Sequence, residues 1–164
     1  VIKIGDSIPN ATLQESTEFG DACPLAPKPV DVHTATKGKR IVIFGLPGAY
    51  TPTCSAQHVP GYLAALDALK GKHVDEVWCV SVNDGFVMAA WGRDEKAIGK
   101  IRMLGDGAAD FARKLGVDRE IPGMGVRMNR FSMFVVDGVV KAFNLEAPGK
   151  FEVSNAETML GQVA

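Results

Sequence analysis

The chain has 164 residues, and its 18 Lys and Arg against 19 Asp and Glu leave a formal charge of −1, so it carries neither a nucleic-acid footprint nor an acidic tail. That length suits one domain, 1–164, with one sizeable core, and no apolar run approaches the ~18 residues that a membrane-spanning helix needs. The cysteines are Cys23, Cys54 and Cys79, an odd number at wide spacing, which argues against a disulfide scaffold. With no C-x-x-C pair and with His33, His58 and His73 scattered, a zinc site is a poor fit, and neither metal nor cofactor is expected. Reduced thiols in an intracellular compartment follow, cytoplasmic first, with mitochondrion or plastid as the alternatives in a eukaryote. No signal-peptide pattern opens the chain, and its start at Val1 rather than Met suggests processing, trimming or disorder of the first residues.

In chain order, residues 2–10 read as an entry segment with a turn at Gly5 and Asp6, and residues 12–18 as an edge strand. Gly20, Pro24, Pro27 and Pro29 make residues 19–29 a loop, in which Cys23 reads as an exposed thiol, with a second redox role as the sharper alternative. The apolar run 41–44 predicts a buried strand, and after a tight turn Val59, Tyr62, Leu63, Leu66 and Leu69 share a face of a helix that ends at Lys70 and Gly71. Pro60 and Gly61 should kink that helix. Residues 77–82 predict a second buried strand, where Cys79 reads as a small core residue, with a resolving thiol as the alternative. Asn83 and Asp84 then cap a helix with Phe86, Val87, Ala90 and Trp91 on one face.

A short strand is expected at 101–104, and a helix opening at Asp106 with Phe111 and Leu115 inward and Gly116 as its stop. Pro122, Gly123 and Gly125 make 117–129 a loop. Asp137 and Gly138 between apolar runs 131–136 and 139–145 are a strong hairpin signal. Ser154 to Glu157 spell a capping box for a last helix with Met159, Leu160 and Val163 inward. Strands separated by helices, then a hairpin and a helix, give an α/β fold: a mixed sheet covered on both faces.

The chemistry concentrates between residues 45 and 54, where a strand ends, a turn follows, and Cys54 enters the first turn of a helix. Unpaired N–H groups and the positive end of the helix dipole favour the thiolate there, and the thiolate is the reactive species. Thr51, one turn earlier, could donate to the sulfur or accept from a peroxide O–H, and Pro47, having no N–H, would wall the pocket without competing for the sulfur. His58, one turn after Cys54, reads as a polar surface residue rather than a base.

The pattern of Pro47, Thr51 and Cys54 resembles the active-site motif of the peroxiredoxins, most closely the mammalian type-V and plant type-II group. The resemblance continues in residues 54–62, in Ser81 to Asp84, in Trp91, Gly92 and Arg93, and in Arg130 to Met133, and so covers nearly the whole chain. It implies a thioredoxin-like fold and a thiol peroxidase acting on hydrogen peroxide and alkyl hydroperoxides, with Cys54 becoming a sulfenic acid. Arg130 matches the family's strand-borne arginine, which would favour the thiolate and hold the peroxide oxygen; Arg127 is its rival.

Type-V relatives carry a resolving cysteine near the C-terminus, but here that stretch runs Phe151, Glu152, Val153, Ser154, and no cysteine follows Cys79. An external thiol is therefore expected, glutathione with glutaredoxin first and thioredoxin second. The family also implies a homodimer through the active-site side, and an apolar rim of Leu46, Met124 and Phe131 would suit organic peroxides. A peroxide sensor or redox-regulated binding protein using oxidised Cys54 is the alternative. A thiol–disulfide oxidoreductase is disfavoured, because Thr51 stands where C-x-x-C chemistry needs a cysteine.

Overall fold

The computed structural model describes residues 1–163. In order, the chain forms β1 (Thr12–Glu15), β2 (Lys28–Asp31), α1 (Val32–Thr36) and β3 (Arg40–Leu46). After a π turn (Cys54–His58) come α2 (Val59–Gly71), β4 (Glu76–Ser81), α3 (Gly85–Asp94), β5 (Arg102–Gly105) and α4 (Asp110–Leu115). The remainder forms β6 (Asp118–Ile121), β7 (Gly125–Met128), β8 (Phe131–Val136), β9 (Val139–Leu145) and α5 (Ala156–Leu160). The sheet order is β2-β1-β5-β4-β3-β8-β9, while β6 and β7 pair apart as a hairpin. β3, β4 and β5 run parallel at the centre, and the flanking pairs are antiparallel.

The central position of β3 follows from its composition, since an unbroken apolar strand must be covered on both sides. Val42, Phe44 and Leu46 pack with Tyr62, Leu66 and Leu69 of α2, Met88 and Trp91 of α3, and Met159 of α5. Ile41 and Ile43 point the other way, into a second core with Phe111, Ala112 and Leu115 of α4. The β8–β9 hairpin has its expected bounds, and the positive φ of both Asp137 and Gly138 matches the right-handed twist of its strands.

Five expectations are corrected. β1 lies between β2 and β5 and is not an edge; β2 takes the edge, where its Pro29 costs no ladder bond. Residues 117–129 are not a loop but mostly the β6–β7 hairpin, whose glycines serve its turn. α3 buries Gly85, Met88, Ala89, Trp91 and Gly92 and leaves Phe86 48% exposed. Gly85 lies so close to Pro27 that a Cβ would stand 2.7 Å from it.

Asp106 does not open α4; its buried carboxylate caps that helix from upstream, accepting from the N–H groups of Phe111 (3.1 Å) and Ala112 (2.9 Å). The cap of α5 is Asn155, which accepts from Thr158 N–H at 2.8 Å, and Ser154 is used elsewhere.

Candidate active site

The register of β3 on β8 sets Gly45 opposite Phe131, so Arg130, one residue before β8, arrives beside the end of β3 although 76 residues separate it from Cys54. Only glycine fits at 45, because a Cβ would run into the Phe131 ring and the Met128 sulfur. Beyond Leu46 the loop is pinned from three sides. Asn83 Oδ1 accepts from Ala49 N–H (3.0 Å) and Ser81 Oγ (2.6 Å), and Arg127 donates to the Pro47 carbonyl (3.3 Å). From α3, Trp91 Nε1 donates to Ser55 Oγ (3.0 Å), and Asp94 accepts from the Tyr50 hydroxyl (2.6 Å). Tyr50 itself has φ +64, and burial together with its carboxylate acceptor pushes the phenol up to about 12.

Cys54 opens the π turn, in which Val59 N–H reaches back five residues to the Cys54 carbonyl. Wide turns of this kind interrupt a helix locally and often mark functional sites. Pro60 follows this turn by two residues within helical backbone that runs from Pro52 to Gly71, so the interruption expected around Pro60 takes the form of the π turn.

The sulfur is wholly buried and accepts from the Arg130 guanidinium at 3.1 Å. A second guanidinium nitrogen meets His58 Nδ1 at 2.9 Å, while His58 Nε2 lies 3.0 Å from the Ser154 carbonyl. The ring therefore carries its hydrogen on Nε2, donates to Ser154, and accepts from Arg130 through Nδ1. His58 is thus not a surface residue. Burial, and then the Arg130 charge, lower its pKa to about 3, so it is a neutral acceptor.

Phe151 lies against both partners, 5.0 Å from the His58 ring and 5.7 Å from the guanidinium carbon. Tyr62 also donates to the Ser154 carbonyl, at 2.9 Å. Ser154 is fixed in turn by Glu146, which accepts its N–H (2.8 Å) and hydroxyl (2.7 Å) along with the N–H groups of Glu152 and Val153. Burial alone would raise the Glu146 pKa, but these donors hold it below the usual carboxylate value. The chain Cys54–Arg130–His58–Ser154–Glu146 closes on itself, because Glu146 N–H donates to the Arg130 carbonyl at 2.9 Å.

Pro47, Thr53 and Arg130 line a small cavity beside this chain. Thr51 departs from the first of its two expected roles. Its hydroxyl donates to the Gly48 carbonyl at 2.7 Å, so its oxygen is left to accept. Arg127, the rival to Arg130, serves the loop through Pro47 and Met124 rather than the sulfur. Leu46 and Phe131 are fully buried and form no rim; only Met124 is exposed.

Cys79 is sealed in β4, and burial, then the neighbouring Cys54, raise its thiol well above the ordinary range; Cys23 is exposed as read. Among the described residues no group of His, Cys, Asp or Glu is placed to hold a metal, and no helix is long and apolar enough to cross a membrane. Local sequence does not announce the linking roles of His58, Asn83, Glu146 and Ser154. His58 alone left a signal, one turn from Cys54 on the same helix.

The family model described as Redoxin matches residues 3–160. Peroxiredoxin-2E, chloroplastic, of Arabidopsis thaliana is 43% identical over 164 residues, 97% of this chain and 68% of that protein. The crystal structure of reduced Prx3 from Vibrio vulnificus in complex with hydrogen peroxide superposes with a TM-score of 0.92 at 43% identity, covering 100% of both chains. A Burkholderia cenocepacia structure solved under the provisional name of thioredoxin reductase has a TM-score of 0.94 at 50% identity, covering 99% of this chain and 98% of that one. A buried cysteine whose sulfur accepts from an arginine, in a sequence without C-x-x-C, sides with the first two names.

Proposed function

The chain belongs to the redoxin family and is a peroxiredoxin, a thiol peroxidase that reduces peroxides, and from that premise we propose that Cys54 is its attacking thiolate, with Arg130, Thr51 and Pro47 completing the site. The sulfur lone pair attacks one peroxide oxygen in line, the O–O bond breaks, and the leaving oxygen departs as hydroxide or alkoxide and takes up a proton. Negative charge moves from sulfur to that oxygen. The Arg130 guanidinium, fixed 3.1 Å from the sulfur, follows the charge without reorganising, and this contact carries the reading. The Thr51 oxygen accepts the peroxide O–H, and Pro47 closes the wall.

His58 is a positioning residue: as a neutral acceptor it holds the second guanidinium nitrogen and brings no competing charge. The product is the Cys54 sulfenic acid. Cys79 is buried and held protonated, and no cysteine follows it, so the sulfenic acid goes to an external thiol, glutathione with glutaredoxin ahead of thioredoxin. Hydrogen peroxide and small alkyl hydroperoxides are the substrates. A homodimer through the active-site side would cover Tyr50, 53% exposed on the loop braced by α3. The cytoplasm is the compartment proposed, although relatives include chloroplastic and mitochondrial proteins.

Steady-state turnover of hydrogen peroxide with either reducing system tests this reading. Sustained turnover with glutathione and glutaredoxin, absent in Cys54→Ser, is expected; turnover that survives that substitution would overturn it.

A further inference from the structure

More positive charge surrounds the cavity beside Arg130 than peroxide reduction uses. Its lining includes Arg119 from β6, Arg130, and Lys150 from the turn after β9, against a single carboxylate, Glu146. Both Glu146 oxygens already accept from the segment 152–154. The side chains of Arg119 and Lys150 have no hydrogen bond or ion pair with any other described residue. Two uncommitted cations, with Arg130 beside them, thus line a space of about 90 Å³. Pockets that engulf a whole ligand run from about 300 Å³ upward, so this one admits only a headgroup, and a planar guanidinium fork suits a carboxylate.

We propose that this cavity seats a carboxylate of the low-molecular-weight thiol that reduces the Cys54 sulfenic acid. The inference rests on the external-thiol reading above. The sulfur must be reached twice in each cycle, first by a peroxide and then by a thiol, and a carboxylate-bearing thiol brings a handle that a peroxide lacks. The reductant's sulfur attacks the sulfur of Cys54–SOH, an S–S bond forms, the S–O bond breaks, and the hydroxyl leaves as water with the thiol proton. A second thiol then attacks the outer sulfur of the mixed disulfide, returning the Cys54 thiolate and releasing an oxidised disulfide. The two thiols together lose the two electrons that the sulfenic acid gains.

The test uses N-acetylcysteine and its amide as probes, an anionic and a neutral thiol of nearly the same shape. Protein carrying Cys23→Ser is oxidised with one equivalent of hydrogen peroxide, and the rate of mixed-disulfide formation at Cys54 is followed by mass spectrometry. The acid-to-amide rate ratio should fall about fivefold when Arg119→Gln and Lys150→Gln are introduced together. Differences in intrinsic thiol reactivity cancel in that ratio, and matched denaturation midpoints for variant and wild type separate loss of the seat from loss of folding.

A second measurement needs no peroxide: alkylation of reduced Cys54 by iodoacetate against iodoacetamide, where the same variant should lower the anion preference by a similar factor. A ratio unchanged in both assays overturns the carboxylate seat, and a change confined to alkylation overturns its assignment to the thiol. If peroxide fails to oxidise Cys54 while the alkylation ratio falls, the seat stands and the peroxidase mechanism is what fails.

Discussion

Cys54 and Cys79 are both fully buried, and Cys79 sits on β4 opposite Phe44 of the strand that leads to Cys54. Their settings and donors differ. Cys79 is closed in by apolar neighbours, and burial keeps it a thiol. Cys54 lies in a wide turn where a fixed guanidinium points at its sulfur. Burial by itself therefore makes a thiol inert. Burial with one permanently charged donor is what the proposed mechanism needs, since the charge it places on sulfur must move to oxygen without help from water.

The contrast can be broken outright by Cys54→Ser, which should abolish peroxide reduction in a coupled assay. Cys79→Ala should leave the rate within about twofold and cost on the order of 1 kcal/mol in chemical denaturation, the range of a small core truncation. Next in size, Arg130→Gln keeps the sulfur but removes its donor, and kcat/KM for hydrogen peroxide should drop about 10²- to 10³-fold.

His58→Leu, which frees one arm of Arg130, should cost about tenfold, and His58→Gln, which retains an acceptor, should recover part of that. The same histidine gives a pH signature. Its pKa is near 6.5 when unfolded and about 3 when folded, so between those values the unfolded chain binds the extra proton. Its contribution is intact above pH 6.5 and declines as the pH falls towards 3, by about 1.4 kcal/mol per pH unit at most. Glu146, whose folded pKa is depressed, adds loss of the same sign at the acid end. Denaturation at pH 7 and pH 5 should show the slope in the wild type and a shallower one in His58→Gln. The smallest effect is expected from Tyr50→Phe, which removes the exposed bond to Asp94 and should change peroxide turnover less than about twofold.

The sequence made some of this legible and hid the rest for identifiable reasons. Runs such as 41–44 and 77–82 announce central strands because nothing but burial explains them, and Asp137 with Gly138 fixes a hairpin to the residue. Pro47, Cys54 and Arg130 stand out through a motif, and the sheet register explains how Arg130 reaches Cys54. The β6–β7 hairpin was hidden because Pro122, Gly123 and Gly125 read as loop residues whether or not short strands flank them. The placement of His58 was beyond local reading. A buried imidazole depends on a carbonyl 96 residues away and a guanidinium 72 residues away, and neither leaves a trace near position 58. Thr51 was half legible: its position marked the site, but the direction of its hydroxyl depends on the Gly48 carbonyl in the folded turn.

The central claim is that Arg130, acting on Cys54 alone, makes the peroxide-reactive thiol. Its most direct test is a single turnover: reduced protein, one equivalent of hydrogen peroxide, dimedone to trap sulfenic acid, and peptide mapping over time, for wild type beside Arg130→Gln. The expected result is rapid labelling of the Cys54 peptide, with Cys23 and Cys79 unlabelled on that timescale, and labelling about 10²-fold slower or more in the variant. Equal rates in the two proteins, or early label at Cys79, would contradict it.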